Sequence, residues 1–494
     1  MTQVELTTPN GIKYTQPTGL FINGEFVEAS SGKLFETISP STESLIVKVH
    51  ESDEKDAETA IKAAEAAFPG WSHTDGDSRG LLLSKLADLI ERDSHLLASI
   101  EAWDNGKTLT MAKGDIAAVV ATFRNYAGYA NKIDGEVIET DSDHFTYVRR
   151  EPVGVCGMII PWNFPLLMFA WKAAPCLACG CSFVLKTAES TPLSALYACK
   201  LVQEAGFPKG TVNVISGYGN IGAYLAGHPR IRKVAFTGST LTGRKVMHSV
   251  ADSNIKKITL ELGGKSANIV CDDADFAQAI QGVIIGIYYN SGEVCCAGSR
   301  LYVQDGIYDK FIAALKDAVE NIKIGDPFDE TNFYGAQTSK MQFDKVLNYI
   351  KTGLSEGGKL VTGGKRHGDK GFFIQPTIFA DVENHHTIVR EEIFGPVLSV
   401  LRFKTIDEVL EMANDNEYGL AAGVFTNNLN RAIYISNHLQ AGSVWVNCYN
   451  ALHHNVPFGG YGASGIGREL GKYVLDNFTE IKAVRIKGIN LGRN

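Results

Sequence analysis

The sequence predicts an α/β fold organised around a doubly wound parallel sheet. Its 494 residues exceed what one hydrophobic core normally accommodates, so we expect two or three domains. From Val153 onward, short apolar runs alternate with segments of helical periodicity, which is the pattern of strands joined by crossover helices. Before Val153 the chain instead shows a hairpin signal and a series of amphipathic helices.

The first 133 residues are predicted to be mostly helical after an initial hairpin. The stretch L-F-I-N-G-E-F-V, residues 20–27, alternates around an Asn-Gly turn and indicates a β-hairpin. Helical periodicity follows over Asp53–Phe68, Arg79–Trp103 and Asp115–Asn131, and Asn105-Gly106 closes the second of these segments.

Residues 134–151 switch to a polar, strand-like pattern that has no evident partner nearby. Two interpretations are open at this point: a surface hairpin, or an arm that pairs with another subunit. The tail I-K-A-V-R-I-K-G, residues 481–488, also alternates and predicts one more strand.

The α/β part divides into two blocks. Strands of the first block are predicted at Cys156–Ile160, Ser182–Lys186, Val212–Ile215, Lys233–Phe236 and Lys257–Leu260. Between them, the helix that begins at Thr191-Pro192 has a capping residue followed by proline, and it ends at Gly206. Strands of the second block, from about Ala267 to Gly465, are predicted near Leu301–Val303, Val397–Phe403, Ala421–Phe425 and Ser443–Val446.

The composition is that of an ordinary soluble globular protein, 45% hydrophobic and 21% charged. A net charge of −8 argues against nucleic-acid binding, which normally needs a basic face. The apolar stretch Pro152–Trp171 is long enough for a bilayer, but Pro161 and Pro165 break any single helix there. Nine cysteines without disulfide spacing, and an N-terminus without signal-peptide features, favour the cytoplasm, with the mitochondrial matrix as the alternative.

The stretch that carries chemistry is Y-Y-N-S-G-E-V-C-C-A-G-S-R, residues 288–300. An apolar helix upstream leads the chain onto a Ser-Gly turn, and the adjacent Cys295 and Cys296 follow that turn. A thiol nucleophile needs this geometry, because a substrate carbonyl must approach the sulfur closely. A buried structural thiol is the alternative, since free cysteines are among the most buried residues.

Two glycine-rich turns are candidates for a dinucleotide. G-Y-G-N-I-G, Gly217–Gly222, matches the G-x-G-x-x-G fingerprint, but no acidic residue ends the next strand. The turn T-G-S-T-L-T-G, residues 237–243, lies between a strand and a helix whose N-terminus can bind pyrophosphate, so we favour it. Either turn is also compatible with a simple tight connection.

Glu261 ends an apolar strand beside two glycines, in T-L-E-L-G-G-K. Burial there would raise the pKa of the carboxyl and suit a general base, whereas a solvated carboxylate at the strand end is the alternative. The motif C-x-x-C-x-C at Cys176, Cys179 and Cys181 lacks a fourth ligand and a histidine, so we expect structural thiols and no metal.

Several motifs together resemble the aldehyde dehydrogenase family. They are P-W-N-F-P (161–165), F-T-G-S-T (236–240), E-L-G-G-K (261–265), E-V-C-C-A-G-S-R (293–300), E-E-I-F-G-P (391–396) and P-F-G-G (457–460). They occur in the family's order and extend from about Gly19 to Lys487. Residues 288–300, together with L-K-T-A-E-S-T-P, look like the fungal acetaldehyde dehydrogenases.

The resemblance implies that a small aliphatic aldehyde, above all acetaldehyde, is oxidised to its acid. Cys295 would attack the aldehyde, and the side-chain amide of Asn163 with the Cys295 backbone N–H would hold the oxyanion. Hydride transfer to the nicotinamide would leave a thioester, which Glu261 would hydrolyse by activating water. NAD is the expected cofactor, and NADP is the alternative.

The resemblance also assigns roles to surrounding residues. The cofactor would contact Ile159, Ile160, Pro161, Trp162, Lys186, Glu189, Gly219, Phe236, Gly238, Ser239, Thr240, Gly243, Leu262, Glu392 and Phe394. Within that set, Glu392 and Phe394 match nicotinamide-ribose contacts, and Lys186 and Glu189 match adenine-ribose contacts. An aromatic substrate tunnel would consist of Phe164, Trp171, Tyr289 and Phe458. Lys172 and Glu469 match positions suspected of relaying protons.

The family fold implies a Rossmann-like NAD(P)-binding domain (1–133 and 153–263), an α/β catalytic domain (264–465) and a small β arm (134–152 and 478–494). The arm would pair subunits in a homo-oligomer, expected to be a tetramer built as a dimer of dimers. One departure is that the Gly217–Gly222 turn is a residue shorter than usual, which leaves the register of its following helix open.

Two other functions are considered. A CoA-acylating relative would release the acyl group to CoA instead of water, but that branch typically lacks the base at Glu261. A structural or binding protein on the same scaffold, as in crystallin-like relatives, would not need Cys295, Glu261 and Asn163 together.

Overall fold

A computed structural model describes residues 1–488, so the last residues of the expected arm, 489–494, lie outside the described residues. Within that range no helix is long and apolar enough to cross a membrane. Up to residue 152 the elements are β1 (Gln3–Thr7), β2 (Lys13–Pro17), β3 (Leu20–Ile22), β4 (Glu25–Val27), β5 (Leu34–Ile38), β6 (Leu45–His50), α1 (Glu54–His73), α2 (Gly76–Arg92), α3 (Ser94–Asn105), α4 (Leu109–Tyr129), β7 (Glu136–Ile138) and β8 (His144–Pro152).

The predicted hairpin is confirmed, since β3 and β4 pair across Asn23-Gly24, both in the left-handed region. The prediction of one helix over Arg79–Trp103 is wrong, because α2 ends and α3 begins at Asp93. The Asp93 carboxylate accepts a hydrogen bond from the Tyr197 hydroxyl at 2.9 Å, a tertiary contact that the local periodicity does not reveal.

The first α/β block forms one large sheet with helices on its faces. Its elements are β9 (Val155–Ile159), α5 (Pro165–Ala178), β10 (Ser182–Thr187), α6 (Leu193–Ala205), β11 (Val212–Ser216), α7 (Gly219–Gly227), β12 (Lys233–Thr237), α8 (Thr240–Ala251) and β13 (Lys257–Glu261). The five predicted strands are confirmed to within a residue and run parallel in the order β13-β12-β9-β10-β11. Strand β9 pairs with β10 on one side and with β12 on the other. The strands after β9 are therefore added first on one side of it and then on the other, which leaves a crevice at the carboxyl end of β9.

Helix α6 corrects one detail of the sequence analysis. It ends at Gly206 in the left-handed conformation (φ 90°), as predicted. However, Thr191 is not its capping residue: the first helical N–H, that of Leu193, donates to Oδ2 of Asp104 at 3.0 Å. A buried carboxylate on α3 therefore replaces the expected local cap.

The second block forms a seven-stranded sheet in the order β16-β17-β18-β15-β14-β19-β20, parallel except at β16. From residue 267 the elements are β14 (Ala267–Val270), α9 (Phe276–Tyr288), β15 (Arg300–Gln304), α10 (Tyr308–Glu320), α11 (Lys340–Ser355), β16 (Lys359–Thr362), β17 (Thr377–Ala380), α12 (Thr387–Arg390), β18 (Val397–Phe403), α13 (Ile406–Asn414), β19 (Ala421–Phe425), α14 (Leu429–His438), β20 (Ser443–Val446), β21 (Gly465–Ile466), α15 (Leu475–Phe478) and β22 (Thr479–Lys487). The four predicted strands are present as β15, β18, β19 and β20, whereas the short strands β14, β16 and β17 were not predicted.

The polar segment before β9 finds its partner at the other end of the chain. Strand β8 pairs antiparallel with β22 over its whole length and with β7 on its other side. The predicted strand in the tail is thus confirmed. Strand β7 leaves an open edge on which Val137 is 72% exposed.

Candidate active site

The turn that carries Cys295 is held in an uncommon backbone conformation. After α9 ends, Asn290, Ser291 and Gly292 have φ angles of 48°, 57° and 74°. Such left-handed conformations persist only when the surroundings hold them. The Ser291 hydroxyl donates to the Gly335 carbonyl at 3.1 Å, and a Cβ on Gly292 would lie 2.2 Å from the carbonyl carbon of Gly395. The turn therefore requires glycine at 292, and the predicted exit of the thiol from a buried helix onto a tight turn is confirmed.

The two adjacent cysteines differ in their surroundings. Cys295 is partly exposed to a cavity, whereas Cys296 is buried and donates its S–H to Oδ1 of Asn450 at 3.3 Å. The pKa of the Cys295 thiol is raised well above the usual cysteine value, mainly by its interaction with the Cys296 thiol and secondly by desolvation. A nucleophile at this position therefore needs a base to remove its proton.

Asn163 lies in the β9–α5 loop, and both its side-chain amide and its backbone carbonyl form hydrogen bonds. Its side-chain Nδ2 donates to the Glu293 carbonyl at 2.9 Å, which ties it to the turn that carries Cys295. Its backbone carbonyl accepts from Lys107 Nζ at 2.9 Å and from Asn290 Nδ2 at 3.1 Å. Since a side-chain amide carries two N–H donors, one of them remains for a ligand.

Glu261, the last residue of β13, is 3% exposed. Burial, and secondly the nearby Cys295, raise the pKa of its carboxyl well above the usual value. The raised pKa of Glu261 agrees with the predicted direction of the shift. Its burial excludes the alternative of a solvated carboxylate at the strand end. Neither carboxylate oxygen has a hydrogen-bond partner among the described residues, so both are available to a water molecule or a thiol.

The two glycines after Glu261 permit close approach of two other groups. A Cβ on Gly263 would lie 2.3 Å from Oε2 of Glu392, and one on Gly264 would lie 2.7 Å from the Cys295 carbonyl oxygen. The Gly264 N–H also donates to Oε1 of Glu392 at 3.0 Å. The E-L-G-G-K motif thus brings the base, the thiol-bearing turn and Glu392 together.

One cavity of about 1420 Å³ contains these groups. Of the residues predicted to bind the cofactor, those that line it are Ile159, Ile160, Pro161, Trp162, Lys186, Glu189, Gly219, Phe236, Gly238, Ser239, Thr240, Leu262, Glu392 and Phe394. Gly243 lies one layer behind, where a Cβ would be 2.6 Å from Leu262. The absence of a side chain at Gly243 permits the packing of α8 against Leu262, and the assignment of Gly243 to the cofactor site stays a prediction.

The crevice end of this cavity has the features of a nucleotide site. Helix α8 begins there, with Ser239 as its N-cap accepting from the Thr242 N–H at 3.2 Å, so its first N–H groups point toward the cavity. At the end of β10, Lys186 Nζ lies 3.5 Å from Oε2 of Glu189. The shortened turn starts α7 directly at Gly219, which places that glycine on the same wall.

Phe394 lines the cavity and has a positive φ of 61°. Gln342 Nε2 donates to its carbonyl at 2.6 Å, and its ring packs edge-on against Trp162 with centroids 5.3 Å apart. Gln342 was not predicted, because it lies on α11 outside every motif.

The other end of the cavity is aromatic. Phe164, Trp171, Tyr289 and Phe458 all line it, and the rings of Trp171 and Phe458 are 5.5 Å apart. Further lining residues that the sequence did not single out are Leu167, Met168, Ile285, Val294 and Leu452. They lie mostly on helices whose cavity-facing and core-facing sides are equally apolar, so periodicity does not separate them. Among the described residues no arginine lines the cavity.

Lys172 and Glu469 form a buried ion pair behind Glu261, with Nζ and Oε1 2.7 Å apart. Lys172 Nζ also donates to the Thr237 hydroxyl at 2.6 Å. Glu469 contributes to the raised pKa of Glu261, and Lys172 opposes that rise. The structure thus places the pair beside Glu261 without a direct hydrogen bond to it among the described residues.

The three cysteines of the C-x-x-C-x-C motif do not form one cluster in the structure. The sulfurs of Cys176 and Cys181 lie within 4.8 Å of one another and of Cys156 on β9, whereas Cys179 is not in the group. The Cys181 sulfur lies 3.3 Å from the Phe478 carbonyl oxygen, to which its S–H can donate. The structural role of these thiols stays a prediction.

The sequence was then compared with known proteins. The profile described as "Aldehyde dehydrogenase family" matches residues 26–484. This chain belongs to the aldehyde dehydrogenase family. An aldehyde dehydrogenase of Aspergillus niger is 56% identical over 484 residues, covering 98% of this chain and 97% of that protein. Human retinal dehydrogenase 2 is 49% identical over 486 residues, covering 97% and 93% respectively.

Solved structures of aldehyde dehydrogenases have the same fold. The NAD+ complex of the Bacillus cereus aldehyde dehydrogenase superposes with a TM-score of 0.94 at 50% identity, over 95% of this chain and 96% of that chain. The family resemblance, the α/β fold and the enzyme class predicted from the motifs are therefore confirmed.

Proposed function

We propose that this aldehyde dehydrogenase oxidises small aliphatic aldehydes, above all acetaldehyde, to carboxylic acids with NAD and water. The observation that carries the proposal is that Cys295, Glu261 and Asn163 line the same cavity as the residues of the nucleotide crevice and the aromatic side chains. The crevice has the donors of a nucleotide site, and the remaining lining is largely aromatic and apolar, with Asp115 among it.

In the first step, Glu261 removes the thiol proton, directly or through a water molecule. Its buried, unpartnered carboxyl has a raised pKa, which suits a base that works near neutral pH. The Cys295 sulfur then bonds to the aldehyde carbon, and the carbonyl electron pair moves onto oxygen. The Asn163 amide and the Cys295 N–H stabilise that negative charge.

The crevice fits NAD by the chemistry of its donors. The α8 N-terminus suits the pyrophosphate, and the Lys186–Glu189 pair suits the adenine-ribose hydroxyls. Glu392 is held by the Gly264 N–H, where its second oxygen can accept from the other ribose. Bound there, NAD would supply the acceptor for the hydride that leaves the tetrahedral adduct on Cys295, and the loss of that hydride would give a thioester.

Hydrolysis of the thioester completes the reaction. Glu261 takes a proton from water, the hydroxide adds to the acyl carbon, and the C–S bond breaks to return the Cys295 thiolate. Glu261 has to release the thiol proton before it can accept one from this water, and the buried pair Lys172–Glu469 is proposed to pass these protons to solvent through water. A CoA-dependent release is disfavoured, because it would leave a buried carboxylate without a purpose at Glu261.

The proposed domain division follows the sheets. Residues 1–133 and 153–263 would form the NAD-binding domain, 264–465 the catalytic domain, and the β7–β8–β22 sheet the arm. The open edge of β7, with its exposed Val137, supports pairing with a second subunit in a dimer or tetramer. Nine free cysteines support a reducing compartment, for which we propose the cytoplasm.

A steady-state panel tests the proposal. Acetaldehyde, longer unbranched aldehydes, aromatic aldehydes and succinate semialdehyde are compared with NAD and NADP, and reduced cofactor is followed by absorbance. We expect the highest kcat/KM with a short unbranched aldehyde and NAD. Absence of reduced cofactor with every aldehyde would refute the proposed function.

A further inference from the structure

A buried ion pair lies behind the loop that carries Asn163. Lys107 Nζ and Asp115 Oδ2 are 2.6 Å apart, and their side chains are 0% and 6% exposed. Burying two charges carries a desolvation penalty that often cancels their attraction, so such a pair is weak evidence for stability alone. Its contacts indicate what else it does.

The Lys107 ammonium contacts two neighbouring residues of the P-W-N-F-P loop. It donates to the Asn163 carbonyl at 2.9 Å and lies 4.2 Å from the centroid of the Phe164 ring. Asn105, the last residue of α3, donates from Nδ2 to the Trp162 carbonyl at 2.8 Å. The end of α3 and the turn after it thus contact three consecutive residues of the loop.

The Asn163 residue is thereby fixed between two elements. On one side Lys107 holds its carbonyl, and on the other its Nδ2 donates to the carbonyl of Glu293, two residues before Cys295. An oxyanion donor works only when it is held to within about half an ångström of its place. The Lys107 contact is therefore in a position to set the distance from the Asn163 amide to the Cys295 sulfur.

We propose that Lys107, with Asp115 as its counter-ion, is a positioning residue for the Asn163 oxyanion donor. Lys107 does not line the cavity, so it would act through Asn163, whereas Asp115 is one of the lining residues. Asp115 fixes the ammonium, because a lysine without that partner would have more than one hydrogen-bonding arrangement open to it. This inference rests on the proposed role of Asn163 in the reaction.

The variant that tests it is the neutral pair Lys107→Met/Asp115→Asn. Lys107→Met alone would leave a buried, unpaired carboxylate, which is strongly destabilising and would obscure the result. Removing an oxyanion donor outright costs about 10²- to 10³-fold in rate, and we expect a displaced donor to cost about tenfold. Lys233→Met is the matched control, since Lys233 is equally buried but donates to Thr259, away from the cavity.

Two reactions of Cys295 separate positioning from general damage. p-Nitrophenyl acetate acylates the thiolate. The S–C bond forms first and gives a tetrahedral oxyanion, and the ester C–O bond then breaks to release p-nitrophenolate. Iodoacetamide alkylates the same thiolate by displacing iodide, and no oxyanion forms. Neither reaction needs NAD or hydride transfer.

We expect the neutral-pair variant to be acylated about tenfold more slowly and alkylated within about twofold of the wild-type rate, while Lys233→Met changes neither. In an Asn163→Ala background, the same double change should slow acylation by less than about twofold, because the donor it positions is gone. Equal slowing of both reactions, or full additivity with Asn163→Ala, would overturn the inference. Wild-type protein that is acylated but reduces no NAD with any aldehyde would instead contradict the proposed function and leave this test intact.

Discussion

Replacing Glu189 with glutamine tests how the choice between NAD and NADP is made. Glu189 follows β10, its side chain is 45% exposed, and its Oε2 lies 3.5 Å from Lys186 Nζ. In the proposed complex this carboxylate accepts hydrogen bonds from the adenine-ribose hydroxyls, where NADP carries a 2′-phosphate. We expect the wild type to prefer NAD, and Glu189→Gln to narrow the preference chiefly by improving NADP.

The size of the effect follows from the charges. Two like charges about 4 Å apart repel by roughly 4 kcal/mol at an effective dielectric constant of about 20. The buried Lys186 offsets part of this by binding the phosphate, and the exposed Glu189 can rotate toward solvent, where salt screens it. A remainder of about 1 to 2 kcal/mol corresponds to about five- to thirtyfold in kcat/KM.

The assay measures kcat/KM for both cofactors with one aldehyde at one ionic strength. Glu54→Gln is the control for a change of net charge, since Glu54 is exposed on α1 and does not line the cavity. An NADP preference in the wild type would refute the argument. So would an NAD/NADP ratio that is the same in Glu189→Gln as in the wild type.

Three further predictions concern the thiol, the tunnel and the glycines. Cys295→Ala should abolish aldehyde oxidation and Cys296→Ala should leave most of it; equal losses would show that the nucleophile is misassigned. Succinate semialdehyde should have a lower kcat/KM than acetaldehyde, because no arginine lines the cavity in the described chain to receive its carboxylate; the reverse order would contradict the tunnel. Gly263→Ala should raise the KM for NAD, since its Cβ would displace the Glu392 carboxylate from 2.3 Å away, and an unchanged KM would show that Glu392 does not hold the cofactor.

The parts of the fold that the sequence predicts well are those fixed by local pattern. Strands β9, β10 and β12 contain uninterrupted apolar runs because a parallel sheet is buried on both faces. The break between α2 and α3 and the cap of α6 depend instead on Tyr197 and Asp104, which are distant in sequence from the elements they affect. A prediction made from a short segment of sequence therefore cannot include such contacts.

The candidate site shows the same division. Cys295, Glu261 and Asn163 lie in short motifs, and their residue types alone indicate a nucleophile, a base and a hydrogen-bond donor. Lys107 and Gln342 bind the backbone carbonyls of Asn163 and Phe394 from distant parts of the chain, and the carbonyl of any residue type would accept such a hydrogen bond. Their roles therefore emerge only from the three-dimensional contacts.

The central claim is that acyl transfer occurs through Cys295 and that Glu261 releases the product. The measurement is rapid-mixing kinetics of Glu261→Gln with acetaldehyde and NAD, with peptide mass spectrometry of the quenched protein. We predict a burst of NADH, a slow steady state that no longer rises with pH, and an acetyl group on Cys295; in the wild type the rate should rise with pH as the high-pKa carboxyl ionises. A steady-state rate equal to that of the wild type, or acetyl on Cys296 instead, would contradict the account.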